Sequence, residues 1–201
     1  MPAPPFEVGD VLFTQSTSGF MRKVIAVAQT IGSIGRGGTA KSVHAAIVIA
    51  LGQNGEPIIA ESVGSGLRSR QAAAGNYRVY RYTANQDVAE AAAQCAEGCV
   101  AIKQSGAGGA DYGAYAKLAA GQSPFNLSGG SRLTADKSLF AHQATTFFCS
   151  NFVYKAFASA AELMALPTVP IANGRSQVGP RDLMVAMDGD PRWTFQGLVN
   201  I

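Results

Sequence analysis

A cysteine near the C-terminal end of the chain occupies the position where a helix is expected to begin. Cys149 follows Thr145 and Thr146, and either threonine can cap a helix that starts there. The apolar residues that follow recur at helical spacing, at Phe152, Val153, Ala156, Ala160 and Leu163. In the first turn, unpaired backbone N–H groups and the helix dipole favour a thiolate over a thiol. The pattern predicts a nucleophile at Cys149, beside N–H groups that can bind an oxyanion.

The chain contains two other cysteines, and they do not form a disulfide framework with Cys149. An odd total of three cysteines leaves at least one thiol free. Cys95 and Cys99 lie four residues apart in a predicted helix, a geometry poorly suited to an S–S bond. With His44 and His142 as the only histidines, a zinc site lacks ligands. Acyl transfer by a cysteine nucleophile requires neither a metal nor an organic cofactor, and we predict neither. The alternative for Cys149 itself is a buried thiol that packs as a small hydrophobic side chain.

The periodicity predicts the elements that must position these side chains. Within 8–14, a turn at Gly9-Asp10 is predicted to lead into a short strand. Further strands are predicted at 44–51, 57–63 and 77–82, and helices at 18–30, at 85–104 and from Asp111. A loop rich in Gly, Ser and Asn at 121–136 is a candidate border for a cleft. Residues 167–180 are predicted to be extended, and 179–183 to form a turn before the last apolar segment. Without an internal repeat or a linker, residues 1–201 are predicted to form a single domain.

Two polar residues in neighbouring predicted strands, His44 and Glu61, are candidates to lie close together. A hairpin places them on one face of a sheet only if the numbers of paired residues add to an odd value, because side chains alternate along a strand. A tight turn at Asn54-Gly55 alone would set Glu61 opposite Val48, too far along the strand to touch His44. A contact between His44 and Glu61 therefore requires a shifted or longer connection, and the sequence leaves both arrangements open.

Composition limits the classes of function. With 201 residues, 47% of them hydrophobic and 14% charged, the chain can bury one sizeable core. A formal net charge of +3 with scattered Lys and Arg residues does not favour nucleic acid as a partner. An anionic surface, such as a cell wall or a membrane face, is compatible with this charge.

The first residues do not resemble a secretory signal. They lack a basic segment followed by an apolar core, and the first basic residue is Arg22. The longest apolar run, 45–51, is far shorter than the roughly 20 residues that a membrane-spanning helix needs. We expect a protein made in the cytoplasm, without a transmembrane segment, that would need a route other than a cleaved signal to act elsewhere.

The order of these features resembles the circularly permuted NlpC-type papain-like cysteine peptidases. The resemblance covers nearly the whole chain, and histidine precedes cysteine as in the permuted branch. The matching pieces are, in order, Gly9-Asp10-Val-Leu-Phe, His44 at the start of an apolar strand, Glu61 in the next strand, Tyr77 to Arg81, Asp111-Tyr112, Phe147-Phe-Cys149-Ser-Asn-Phe-Val and Gly179-Pro-Arg-Asp-Leu. The resemblance implies an α+β papain-like domain with a central antiparallel sheet and the nucleophile at the start of a packed helix.

The resemblance also implies a role for three residues. Cys149 is the nucleophile, His44 is the base that takes its proton, and Glu61 orients the imidazole. Each also has a plain alternative, since His44 can be a structural histidine and Glu61 a solvated strand residue. His142, in the loop before Cys149, is a weaker candidate for the base. The chain departs from the family where Ser150-Asn151 replaces a frequent Ser-Glu pair.

Two classes of function follow from the resemblance. The first is a cysteine hydrolase that cleaves peptidoglycan peptides, which would suit an antibacterial effector delivered by a specialised secretion system and paired with an immunity protein. Members of the same fold also include lipid-directed acyltransferases and thioesterases, and fold alone does not separate these activities. The second class is a binding module without catalysis, which a large distance between His44 and Cys149 would favour.

Overall fold

The computed structural model describes residues 6–14, 44–63, 66–105, 149–171 and 180–201. Within these ranges it contains six strands and three helices, in an α+β arrangement. The strands are β1 (Val11–Thr14), β2 (His44–Leu51), β3 (Pro57–Val63), β4 (Gly66–Gln71), β5 (Asn76–Tyr82) and β6 (Trp193–Asn200). The helices are α1 (Gln86–Gln104), α2 (Cys149–Leu163) and α3 (Pro180–Asp188). The strands form one antiparallel sheet in the order β4-β3-β2-β1-β5-β6.

The main core lies between one face of the sheet and the helices. Val11, Ile47 and Tyr80 of the sheet belong to it, together with Val88 of α1 and Phe157 of α2. The opposite face carries a smaller apolar cluster, made of Leu12, Ala46, Val48, Ile59, Ala72, Tyr77, Val79 and Val199. Strands β1, β2 and β3 are therefore covered on both faces, which explains their nearly continuous apolar sequences.

Several predicted elements are confirmed. Strands β2 and β3 have the predicted bounds, and β5 begins one residue early, at Asn76. Helix α1 begins after Asn85, whose side-chain oxygen accepts a 2.9 Å hydrogen bond from the backbone N–H of Asp87. Cys149 is the first residue of α2, in the predicted position. The sheet is central and antiparallel, as expected.

Two parts of the prediction are wrong or incomplete. Residues 179–183 were predicted as a turn, but Pro180 begins helix α3, which suits proline because the first helical residue needs no N–H donor. Strand β4 was not predicted, because most of its residues are polar and it has no apolar alternation. The predicted helices at 18–30 and from Asp111, the loop at 121–136, and Thr145, Thr146 and His142 lie outside the described residues.

The turn before β1 is held by a close backbone contact and a buried ion pair. Gly9 has a φ of +91°, and a Cβ there would lie 2.6 Å from both Cβ and the carbonyl oxygen of Ala89 on α1. Asp10 is 1% exposed and accepts two 2.8 Å hydrogen bonds from the Arg81 guanidinium. Gly9, Asp10 and Arg81 therefore join β1, β5 and α1.

We expect Gly9→Ala to destabilise the protein by about 2–4 kcal/mol, because it adds backbone strain and a clash with the Ala89 backbone. Gly55→Ala is the matched control, since Gly55 also has a positive φ of +81° but open space around it. Its cost should stay near 1 kcal/mol. Urea unfolding of both variants would measure the difference, and equal losses would contradict the packing contribution.

Candidate active site around Cys149, His44 and Glu61

Helix α2 presents Cys149 at its N-terminus. The helix buries Phe152, Val153 and Phe157 against the core, which fixes its axis relative to the sheet. Cys149 is 8% exposed. As the first residue of the helix, it has a backbone N–H without an acceptor inside the helix. The thiol therefore lies at a helix terminus, where the backbone N–H groups have no acceptor within the helix.

The hairpin of β2 and β3 places His44 and Glu61 on the same face of the sheet. Leu51 pairs with Pro57 across a five-residue connection, and an irregularity between Val48 and Ala50 then shifts the register by one residue. Beyond the shift, Ile47 pairs with Ala60. The pairing on the His44 side thus satisfies the odd-sum condition, through the longer and shifted connection that the sequence left open. Glu61 Oε2 lies 2.7 Å from His44 Nε2.

His44 contacts both Cys149 and Glu61. Its Nε2 faces Glu61, so Nδ1 is the nitrogen left for the hydrogen bond with the Cys149 side chain. Burial alone would lower the pKa of His44, but the hydrogen bonds and charges of Cys149 and Glu61 together raise it to about 9. The imidazole therefore remains protonated at neutral pH.

Glu61 is a buried carboxylate surrounded by cations. It is 1% exposed, and besides His44 it contacts Arg68 and Arg70 of β4. Burial would raise the pKa of Glu61, but hydrogen bonds and charges from His44 and Arg70 hold it down at about 2. The carboxylate is therefore ionised throughout the physiological pH range.

The sequence prediction missed Arg68 and Arg70. They lie two residues apart on β4, which pairs with β3 so that Glu61 is directly opposite Arg68 and Ile59 opposite Arg70. Both arginines therefore share a face with Glu61. The sequence shows the spacing Arg-Ser-Arg, but this spacing places both arginines on one face only if the segment is a strand.

The remaining thiols differ from Cys149 in their surroundings. Cys95 and Cys99 are buried within α1, and burial raises the pKa of Cys99 to about 12. Ser150 and Asn151, which follow Cys149 in α2, are buried. Among the described residues, no three His, Cys, Asp or Glu side chains converge as metal ligands. No helix in the described ranges is long and apolar enough to cross a membrane.

Comparisons with protein-family models, with curated proteins and with solved structures found no match. The geometry and chemistry of the site therefore carry the functional interpretation.

We expect Cys149 to be the most nucleophilic of the three thiols, because it alone combines a helix N-terminus with a histidine partner. Iodoacetamide at about pH 7 should alkylate Cys149 at least about tenfold faster than Cys95 or Cys99, since only thiolates react readily. Mass-spectrometric mapping over time would measure the three rates. Modification of Cys95 or Cys99 at the rate of Cys149 would contradict thiol activation at this site.

Proposed function

We propose that the protein is a cysteine hydrolase of the permuted NlpC-type, papain-like class, which cleaves amide bonds through Cys149, His44 and Glu61. The observation that carries this proposal is the contact series at the start of α2, in which the Cys149 thiol meets His44 and His44 meets Glu61 at 2.7 Å. A thiol, an imidazole and a carboxylate in that order are the groups that acyl transfer requires.

In the acylation step, Cys149 Sγ attacks the carbonyl carbon of the amide while its proton resides on His44. The tetrahedral oxyanion binds to backbone N–H groups, with that of Cys149 as one donor. The imidazolium then transfers the proton to the leaving nitrogen, the C–N bond breaks, and an amine departs. A thioester between Cys149 and the acyl part of the substrate remains.

Water completes the cycle. His44, now neutral, takes a proton from water, and the resulting hydroxide adds to the thioester carbonyl. The C–S bond breaks with the Cys149 sulfur as the leaving group, the carboxylic acid product departs, and the proton taken from water remains shared between His44 and Cys149. Glu61 orients the ring through Nε2 and stabilises its charged form, and it takes up no proton itself.

Peptidoglycan peptides are the substrate class that we propose. The resemblance to NlpC-type enzymes favours them, and a net charge of +3 is compatible with an anionic cell wall. An enzyme of this kind would act as an antibacterial effector, delivered to the periplasm of a target cell by a specialised secretion system and paired with an immunity protein. The contact between His44 and Cys149 argues against a non-catalytic module in which the two residues are far apart.

Mutation of the three site residues should produce graded losses. Cys149→Ala and His44→Ala should each remove nearly all release of peptides from purified peptidoglycan sacculi, because nucleophile and base act as a unit. Glu61→Gln should retain more activity, since an amide can still hydrogen-bond the imidazole. Chromatography with mass spectrometry would quantify the products. Activity that survives His44→Ala but not His142→Ala would identify His142 as the base instead.

The compartment in which the protein is toxic should identify the substrate class. With an added export signal, wild-type protein but not Cys149→Ala should cause rounding or lysis of a test bacterium, because peptidoglycan lies outside the cytoplasmic membrane. The unexported protein should be tolerated. Microscopy and viable counts would measure both. Toxicity confined to the cytoplasm would reject peptidoglycan in favour of a lipid or protein substrate of the same thioester chemistry.

A further inference from the structure

We propose that Arg68 and Arg70 are positioning residues, with Arg70 the stronger, which hold the Glu61 carboxylate ionised and aimed at His44. This inference rests on the proposed function, because it assigns the two arginines a role in the same site. It extends the site from β2 and β3 to the neighbouring strand β4.

Arg70 donates hydrogen bonds to both carboxylate oxygens of Glu61. Its Nε lies 2.6 Å from Oε1 and its Nη2 3.2 Å from Oε2, while Nη1 donates to the carbonyl of Gln71 at 3.0 Å. All three guanidinium nitrogens are thus engaged. Because a guanidinium is planar and rigid, contacts to both oxygens fix the plane of the carboxylate. That plane directs Oε2 towards His44.

Arg68 contacts one oxygen only. Its Nε and Nη2 lie 2.9 and 2.8 Å from Oε1, and its side chain is 48% exposed. Solvent screens a half-exposed charge, so its effect on the carboxylate is smaller than that of the less exposed Arg70. Arg68 therefore covers the carboxylate, and Arg70 sets its orientation.

The catalytic cycle explains why arginines suit this position. A carboxylate that is 1% exposed is stable only with compensating charge and hydrogen bonds. His44 is such a partner while it is protonated, but it becomes neutral when it gives its proton to the leaving amine. The guanidinium groups keep their charge throughout, since arginine does not titrate in this range. Glu61 therefore remains ionised when His44 changes state.

The charged groups around Glu61 set the sign of the expected pH effect. They are His44 on β2, Arg68 and Arg70 on β4, and Cys149 on α2 through His44. Lys103 of α1 approaches the start of β4 at Gly66. Without Arg70, burial remains while a favourable charge is lost, so the pKa of Glu61 rises. Glu61 then protonates at a higher pH, and the protonated His44 ring loses its charged partner at that higher pH as well.

The rate of Cys149 alkylation by iodoacetamide, measured between about pH 2 and pH 8 so that the range reaches the Glu61 pKa of about 2, tests the proposal without a substrate. Arg70→Gln should move the midpoint of the acid limb upwards by about one pH unit or more, and Arg68→Gln by less. Arg78→Gln is the matched control, because Arg78 lies over the Phe195 ring at 4.5 Å and donates to Tyr80. Its midpoint should equal that of the wild type. Unshifted midpoints in both Arg70→Gln and Arg68→Gln would overturn the proposal.

A double-mutant cycle tests whether Arg70 affects Cys149 alkylation through Glu61 or directly. If Arg70 acts through Glu61, Arg70→Gln should add no shift in a Glu61→Gln background. A full shift in that background would overturn the proposal. Circular dichroism would verify folding, and where Arg70→Gln does not fold, the half-exposed Arg68 provides the test through Arg68→Gln. Failure of the proposed function would look different, as a wild-type alkylation profile that does not change in His44→Ala.

Discussion

The site depends on one buried carboxylate. Glu61 is almost fully removed from water, and its charge is balanced by an imidazole from β2 and two guanidinium groups from β4. An unpaired charge in this place would cost several kcal/mol. The three strands must therefore keep their relative positions for the carboxylate to remain ionised. The same interaction that orients His44 thus also joins the three strands on this side of the sheet.

Register is the second constraint. Because side chains alternate along a strand, a shift of one residue between β2 and β3 would move Glu61 to the opposite face, where the helices pack. The irregularity between Val48 and Ala50 sets the pairing that prevents this. Helix α2 then contributes one atom to the site, the sulfur of Cys149, which lies near His44 at the start of β2. Its buried aromatic residues, Phe152 and Phe157, fix that placement.

Sequence patterns predicted the elements with strong apolar periodicity, but they did not predict strand β4 or the start of helix α3. Strands β2 and β3 and helix α1 have long apolar repeats, so their types and bounds followed directly. The turn predicted at 179–183 was wrong, because the proline at position 180 suits the first turn of a helix as well as a turn. Strand β4 was missed because its alternating residues are arginines that point towards a buried partner. Cys149, His44 and Glu61 could be selected as candidates by type and order. Arg68 and Arg70 could not, because their position beside Glu61 depends on the strand pairing, which local sequence does not encode.

The irregularity in β2 also separates the site from the hairpin tip. Since the pairing that aligns His44 with Glu61 is set within the strands, the exposed connection after Leu51 does not have to maintain it. Gln53, Asn54 and Gly55 at this tip are exposed, and Gly55 has open space around it. Surface loops with these properties commonly accept inserted segments. The tip is thus a suitable place for an affinity tag or a fluorescent label that leaves the chemistry of the sheet undisturbed.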